Sequence, residues 1–592
     1  MLVQTADRPF LESIRSVPRA SVFPLFLIIV LYSALLLPTL GRQGISWDEQ
    51  TDILIARAYI SGPAGWFIGS NTDPSQTRLP MFAVALVYAL TGTDNLLTAR
   101  LASAFVGALT IVGVYVFCAR EIGQKQGVLA SGILALSPFY LSFARTAFTE
   151  TDIYVACALA WLLLAVSNLK DKRTVGAAGI AAIPRGLAVS AKFTAIFAFP
   201  AVLLYAFTWP KSEATLERVQ VRDLFGIGAP AFIMFALAWF GWNEYNFAIA
   251  QETDGLVGAT HYGIAGVLWA AMLFWLVRRR NHTGPPVLLA VLAVLVALTI
   301  FLMVPPTHLT NPDIVASLRG RFDQEMGWNP GFMVEAVALH LGSVVFKSSP
   351  LVGLWLLAGL VAALLSWRRH REVRFPLLVT VFYFLGLASL PIAQTFYMMP
   401  LLPVLAILGA DLWFAVLSWR RAVALFFGAV TAALLVVDLF LCFPDYNLNG
   451  YQWLGARYLV GRSSIGYRSV VQTTSDGVQQ AVRWVCEHAT GGERVATYVH
   501  PWHIVWETCP NPLARFVKGK WETVRSKPEF VLVHINHQIR QRWAGQSRGD
   551  DVFWQPYDVA WVEGTYDKVF SVGRAFGLEM ASVWQRKDSV TE

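Results

Sequence analysis

Charge is what this sequence has least of. Of its 592 residues only 15% are Asp, Glu, Lys or Arg, against 55% hydrophobic, where a soluble globular protein carries roughly 25% charged residues. So little charge over so long a chain excludes a soluble multidomain protein and places many segments in lipid. Cysteine is sparse as well: Cys118, Cys157, Cys442, Cys486 and Cys509, with no CxxC and no metal-ligand spacing, which excludes zinc-ribbon and thioredoxin-like motifs. Only Cys486 and Cys509 fall in the polar tail, where an oxidising compartment leaves a disulfide between them open. There is no GxGxxG after a strand and no GxxxxGK[ST], hence no nucleotide-binding loop. No compact His/Asp cluster demands a metal, although Asp48 and Glu49 have the chemistry to ligate one; no metal or other cofactor is expected. Internal repeats of the transporter kind are also missing.

What is there is a ladder of apolar segments. Counting those long enough to cross a bilayer predicts eleven to thirteen transmembrane helices, at about 22–40, 97–118, 127–144, 150–168, 175–189, 192–208, 225–241, 264–277, 285–304, 349–366, 375–391, 397–416 and 421–442. The net charge of +8 is carried by short runs between them, such as "RRRNH" at 278–282 and "WRRHREVR" at 367–374. Basic runs in short loops mark the cytoplasmic side and are not a nucleic-acid footprint. With the N-terminus inside, each inside loop contains Arg or Lys, and three longer loops, 41–95, 242–262 and 305–348, lie outside. The first apolar run is too long for a signal-peptide core and lacks a small-residue cleavage site, so it reads as a retained span. The expected location is the plasma (inner) membrane, multi-pass. "LPMFAVALVYAL" (79–90) is too short to span and reads as an interfacial helix.

Beyond residue 442 the composition turns polar. "SDGVQQAVRWVCEHA" (475–489) carries apolar residues at helical spacing, and "RVATYV" and "FVLVHI" alternate as strands do. The fold class is therefore membrane all-α over residues 1–442, with an extracytoplasmic region, 443–592, that holds a small α/β domain.

The polar constellations collect on the outer face. In "GISWDEQTD" (44–52), Ser46 and Glu49 have the spacing of a capping box; Asp48 is not needed for it and has the chemistry of a general base. "SFARTAFTETD" (142–152) places Arg145, Glu150 and Asp152 where two spans meet. Lys192, in "GLAVSAKFTAIF", either snorkels or binds an anion. Arg319 and Arg321 suit phosphate, or they belong to a solvated loop; His340 and Lys347 follow. "QTFYMMPLLP" (394–403) brings Gln394 and Tyr397, with an interfacial helix start as the plain alternative. Arg78 is a further outer-face cation. A carboxylate beside phosphate-binding cations at a lipid surface fits a donor whose leaving group is a lipid phosphate. A transporter or flippase of lipid-linked sugars, or a membrane scaffold with an outer binding domain, are the alternatives. Charges gathered at one face rather than at mid-span disfavour the first.

"WDEQTDILIARAYI", "NLLTARLASAFVGALTIVGVY", "FARTAFTE", "GLAVSAKFTAIFAFP" and "FYMMPLLPVLAILGA", in that order, resemble the GT-C fold membrane glycosyltransferases. More narrowly they resemble the protein O-mannosyltransferases and bacterial aminoarabinose lipid A transferases (glycosyltransferase family 39/83-like). The resemblance implies an inverting transferase moving a single hexosyl or pentosyl unit from a polyprenyl-phosphate sugar to a lipid, polysaccharide or protein acceptor. It implies Asp48 as base, Glu49 and Glu150 as catalytic acidic partners, and Arg145, Lys192, Arg319 and Arg321 as donor-phosphate ligands. Asp152, Arg78, His340, Lys347, Gln394 and Tyr397 are further candidates. Where relatives often have a basic residue before the late Tyr-Pro span, this chain has Gln394 and Thr395, so Arg319 or Arg321 would substitute there.

Overall fold

The computed structural model describes residues 22–41, 47–61, 78–147, 153–172, 175–207, 330–367, 372–389, 395–443, 477–497, 509, 513–518, 526–534, 559–573 and 579–587. Every predicted apolar segment in that set is helical. The segments at 225–241, 264–277 and 285–304, and the loop 242–262, lie outside the described residues. In chain order the described elements begin with α1 (Val22–Leu36) and a 3-10 turn (Leu37–Thr39). Next are the helices α2 (Trp47–Ile60) and α3 (Arg78–Thr91). Then come α4 (Leu96–Glu121), α5 (Gln124–Leu136), α6 (Pro138–Ala144), α7 (Ile153–Lys172), α8 (Val175–Ala191), a 3-10 segment (Phe193–Ala198) and α9 (Phe199–Phe207). After the gap follow α10 (Pro330–Lys347), α11 (Pro350–Leu365), α12 (Arg374–Ala388), a second 3-10 segment (Thr395–Leu401), α13 (Leu402–Trp419) and α14 (Arg421–Cys442). Among the described residues four helices are long and apolar enough to cross a membrane, or five if the bent α5–α6 pair is one span, with shorter apolar helices packed among them.

Local chemistry sets these boundaries. Asn95 caps α4 by accepting the Thr98 amide at 2.9 Å, satisfying one of the unpaired donors of the first turn. The α5–α6 bend of 65° falls at Ser137–Pro138. A proline pushes its predecessor out of helical geometry, and Ser137 is extended, with its side chain accepting the Tyr140 amide. α13 is buried without a break from Leu402 to Ala410, as a central helix must be. α14 instead turns Val423, Phe426, Val436 and Phe440 outward, as a lipid-facing helix does. The α11–α13 crossing depends on small residues: a side chain at Gly359 would meet the Gly409 backbone nitrogen at 2.7 Å. Close backbone approach of this kind is how membrane helices gain packing contacts without a hydrophobic driving force.

The tail is a five-stranded mixed sheet made of β1 (Arg494–Thr497), β2 (Arg515–Lys518), β3 (Phe530–His534), β4 (Tyr566–Gly573) and β5 (Glu579–Arg586), in the order β2-β1-β3-β5-β4. β1 is parallel to β2 and β3; β5 is antiparallel to β3 and β4. Two helices complete it, α15 (Val478–His488) and α16 (Val559–Thr565). Side-chain alternation along the strands builds two layers. Val495, Phe530, Leu532 and Val583 join Val478, Ala481, Val482 and Val485 of α15 on one face. Ala496, Val531, Val533 and Trp584 join Val562 of α16 on the other. Cys486 and Cys509 are disulfide-bonded, 6.2 Å apart at Cα. The first of these layers is continuous with the buried residues of α2 and α3, including Ile53, Tyr59, Met81 and Tyr88, so these two helices and the tail share one apolar cluster.

Candidate active site

The stretch that begins α2 is fixed by a buried ion pair. Arg100, from the first turns of α4, donates Nε to Glu49 Oε1 and Nη2 to Glu49 Oε2, each at 2.8 Å. The side chains are 0% and 1% exposed. Arg100 Nη1 donates to the Leu40 carbonyl at 2.6 Å, and the Ala147 amide donates to Glu49 Oε1 at 2.8 Å. Glu49 thus ties α2 to α4 and to the segment leaving α6. A guanidinium fork meeting a carboxylate in this two-point geometry holds orientation as well as position. Ser46, the capping partner expected from the sequence, lies outside the described residues. Asp48 is the residue before Glu49 in the same first turn, so its backbone is anchored by this pair. Only its backbone is described.

Arg145 follows directly on α6 and is wholly buried; its Nη2 donates to the Thr39 carbonyl at 3.1 Å. Asp52, one helical turn beyond Glu49, is wholly buried too. Glu49 and Arg100 therefore balance in formal charge beneath the start of α2. Burial of this kind is tolerable only with such balance. Arg100 was not among the residues singled out from the sequence. The available signal was an arginine at the head of a long apolar segment, "LLTARLASAFVGALTIVGVY", since an ionisable residue entering a span needs a partner.

A second group forms around Lys192, at the joint between α8 and the 3-10 segment Phe193–Ala198. Its Nζ sits 4.2 Å from the centroid of the Tyr397 ring, which belongs to the 3-10 segment Thr395–Leu401. A cation over an aromatic face is held by the ring quadrupole, and here two sequence candidates far apart in the chain come together. Thr194 and Tyr383 hydroxyls are 3.0 Å apart. Arg185 of α8, buried behind this joint, donates to the carbonyls of Ala195 and Ile196.

His340 and Lys347 occur in α10, a helix at the end of the segment expected as the outer loop 305–348. Seven residues, about two helical turns, separate them, and both are buried. Lys347 Nζ is 6.0 Å from the Phe139 ring of α6, and His340 meets Phe384 edge to face at 6.3 Å. Arg78 opens α3; its side chain is not described. Glu150, Asp152, Arg319, Arg321 and Gln394 lie outside the described residues. Among the described residues no three His, Cys, Asp or Glu side chains gather as a metal site would require.

The bundle of apolar helices, several of them long enough to cross a bilayer, with its appended sheet domain, is the architecture of an integral membrane protein. Residues 75–239 of the 592 match the model of the dolichyl-phosphate-mannose-protein mannosyltransferase family. The lipid A galacturonosyltransferase RgtD of Rhizobium johnstonii is 22% identical over 259 residues, 43% of this chain and 51% of that protein. The match thus spans about half the length of the curated relative. Among solved structures, the archaeal oligosaccharyltransferase AglB of Archaeoglobus fulgidus, in complex with an inhibitory peptide and a dolichol-phosphate, aligns over 95% of this chain and 74% of its own, at 15% identity and a TM-score of 0.45. ArnT of Cupriavidus metallidurans, bound to undecaprenyl phosphate, aligns over 95% and 97%, at 13% identity and a TM-score of 0.28.

Proposed function

We propose that the protein transfers one sugar from a polyprenyl-phosphate donor to an acceptor hydroxyl at the outer face of the membrane, with inversion at the anomeric carbon. The observation that carries this reading is the Arg100–Glu49–Ala147 anchor, which fixes the start of α2 and so the backbone of its neighbour Asp48. Asp48 removes the proton from the acceptor hydroxyl as its oxygen attacks the anomeric carbon. The bond from that carbon to the donor phosphate oxygen breaks, and its electron pair leaves on the phosphate. Lys192, seated over Tyr397, neutralises the charge that grows on the leaving group, which is where a fixed cation lowers the barrier most. Arg319 and Arg321 complete the phosphate site, and Glu150 and Asp152 orient the acceptor. Arg145, which donates to the Thr39 carbonyl, is a further cation for the donor phosphate. The donor class follows from the cations beside lipid and from the family matched by residues 75–239. The acceptor is a lipid, a glycan or a protein.

The test is to incubate the purified chain in nanodiscs with polyprenyl-phosphate sugars, each radiolabelled in the sugar, together with total membranes. Label leaving one donor and appearing in lipid, polymer or protein is the expected result and names sugar and acceptor together. Retention of label on every donor overturns the reading, and label crossing the bilayer without changing its bonding favours a flippase.

A further inference from the structure

We infer that Arg185 is a positioning residue for the donor phosphate, acting through Lys192. The inference rests on the reading of Lys192 as a phosphate ligand. Arg185 follows Pro184 inside α8 and is 1% exposed. Among the described residues no carboxylate pairs with it; its Nη1 donates to the Ala195 carbonyl, and its Nη2 to the Ile196 carbonyl at 3.0 Å. Its guanidinium also lies 5.2 Å from the Phe199 ring centroid. A buried guanidinium is costly unless its donors are used. Here two of them are spent on successive carbonyls of one short segment, which only a planar fork can reach together.

That segment carries Lys192. The Ala195 amide donates to the Lys192 carbonyl at 3.0 Å, and the Lys192 amide donates to Ala188 at 3.0 Å. A continuous chain of hydrogen bonds therefore runs from the Arg185 fork through Ala195 to the Lys192 backbone. The segment also packs against α12. The Thr194 hydroxyl meets Tyr383, and a side chain at Gly386 would run into the Phe197 ring. A 3-10 turn makes poorer hydrogen bonds than an α-helix and is short-lived without outside support. Arg185 provides that support from the bundle side, holding the backbone from which Lys192 reaches over Tyr397. A flexible lysine stem on a loose turn would pay the ordering entropy at each donor encounter; the Arg185 clamp removes much of that cost beforehand.

The experiment uses the full chain in nanodiscs and undecaprenyl phosphate as probe, with dissociation constants from titration and thermal unfolding run in parallel. We expect R185Q and K192A each to weaken binding by about tenfold, equivalent to about 1.4 kcal/mol. R185K, which keeps the charge but not the fork, should fall between R185Q and the parent. The double variant should bind no worse than K192A alone, because Arg185 acts only through Lys192. If R185Q unfolds the chain, the R185K and R185K/K192A pair gives the same comparison. Parent-like binding by R185Q or R185K, or losses that multiply in the double variant, overturn the inference while leaving Lys192 in place. Parent-like binding by K192A removes Lys192 from the phosphate site and the inference with it.

Discussion

Replacing Arg100 by methionine removes the guanidinium that joins α2 to α4. Three hydrogen bonds disappear, two to Glu49 and one to the Leu40 carbonyl, and a wholly buried carboxylate is left with the Ala147 amide. Breaking a buried pair from one side costs about 3–5 kcal/mol, because the surviving charge is uncompensated. At roughly 2 °C per kcal/mol for a large domain, thermal unfolding of the membrane region should fall by roughly 6–10 °C. The double variant E49M/R100M replaces the pair by apolar side chains of similar bulk, which is close to neutral, so it should recover most of that loss. Turnover should stay low in the double variant, since the Glu49 link to Ala147 is gone and the start of α2 is no longer fixed. Differential scanning fluorimetry in nanodiscs, with sugar transfer measured alongside, reads both effects. An R100M transition within a degree of the parent, or a double variant that loses the sum of the single losses, would refute the claim that this pair organises α2.

The Lys192–Tyr397 contact should show as a split between ring and hydroxyl: Y397A raises the KM for donor roughly two- to fivefold, the worth of an exposed cation–π contact, whereas Y397F leaves it unchanged. Removing the Cys486–Cys509 bond with C486S/C509S opens a loop of 23 residues. By chain entropy this costs the tail about 3 kcal/mol, read as earlier proteolysis of the sheet domain; equal protease resistance would count against it. Glu493, in the turn before β1, is pushed up by partial burial but pulled further down, to about 2, by hydrogen bonds from the Thr490 hydroxyl and the amides of Thr490, Glu493 and Gly491. Its folded pKa lies below its ordinary 4.5, so its stabilisation is complete above that value and is lost as pH falls through about 2. E493Q should therefore unfold slightly more easily than the parent at pH 7 and no more easily near pH 2, by acid titration of the tail transition; a gap that persists in acid contradicts the assignment.

Much of this fold was legible because membrane burial writes itself in long apolar runs, and the tail sheet because "RVATYV" and "FVLVHI" alternate. The helix over 79–90 was within reach of length, whereas the Cys486–Cys509 bond, left open by the sequence, is made in the structure. The segment before residue 348 was not legible: it falls in the expected outer loop 305–348, and the structure makes it helical over Pro330–Lys347. The helix buries His340 and Lys347 on one face. Glu49 shows the other limit. Local spacing assigned it to a cap on Ser46, whereas its described partners are Arg100 and Ala147, 51 and 98 residues away, a distance no periodicity encodes. Lys192 over Tyr397 is of the same kind: each was singled out from its own surroundings, and only the packed bundle brings them together.

The most direct measurement is single-turnover transfer by D48N beside the parent chain, in nanodiscs, with labelled donor and membranes. If Asp48 is the base, D48N binds undecaprenyl phosphate and unfolds like the parent, while transfer falls by about 10²- to 10⁴-fold, the usual contribution of a positioned base. Transfer by D48N at the parent rate would contradict the account.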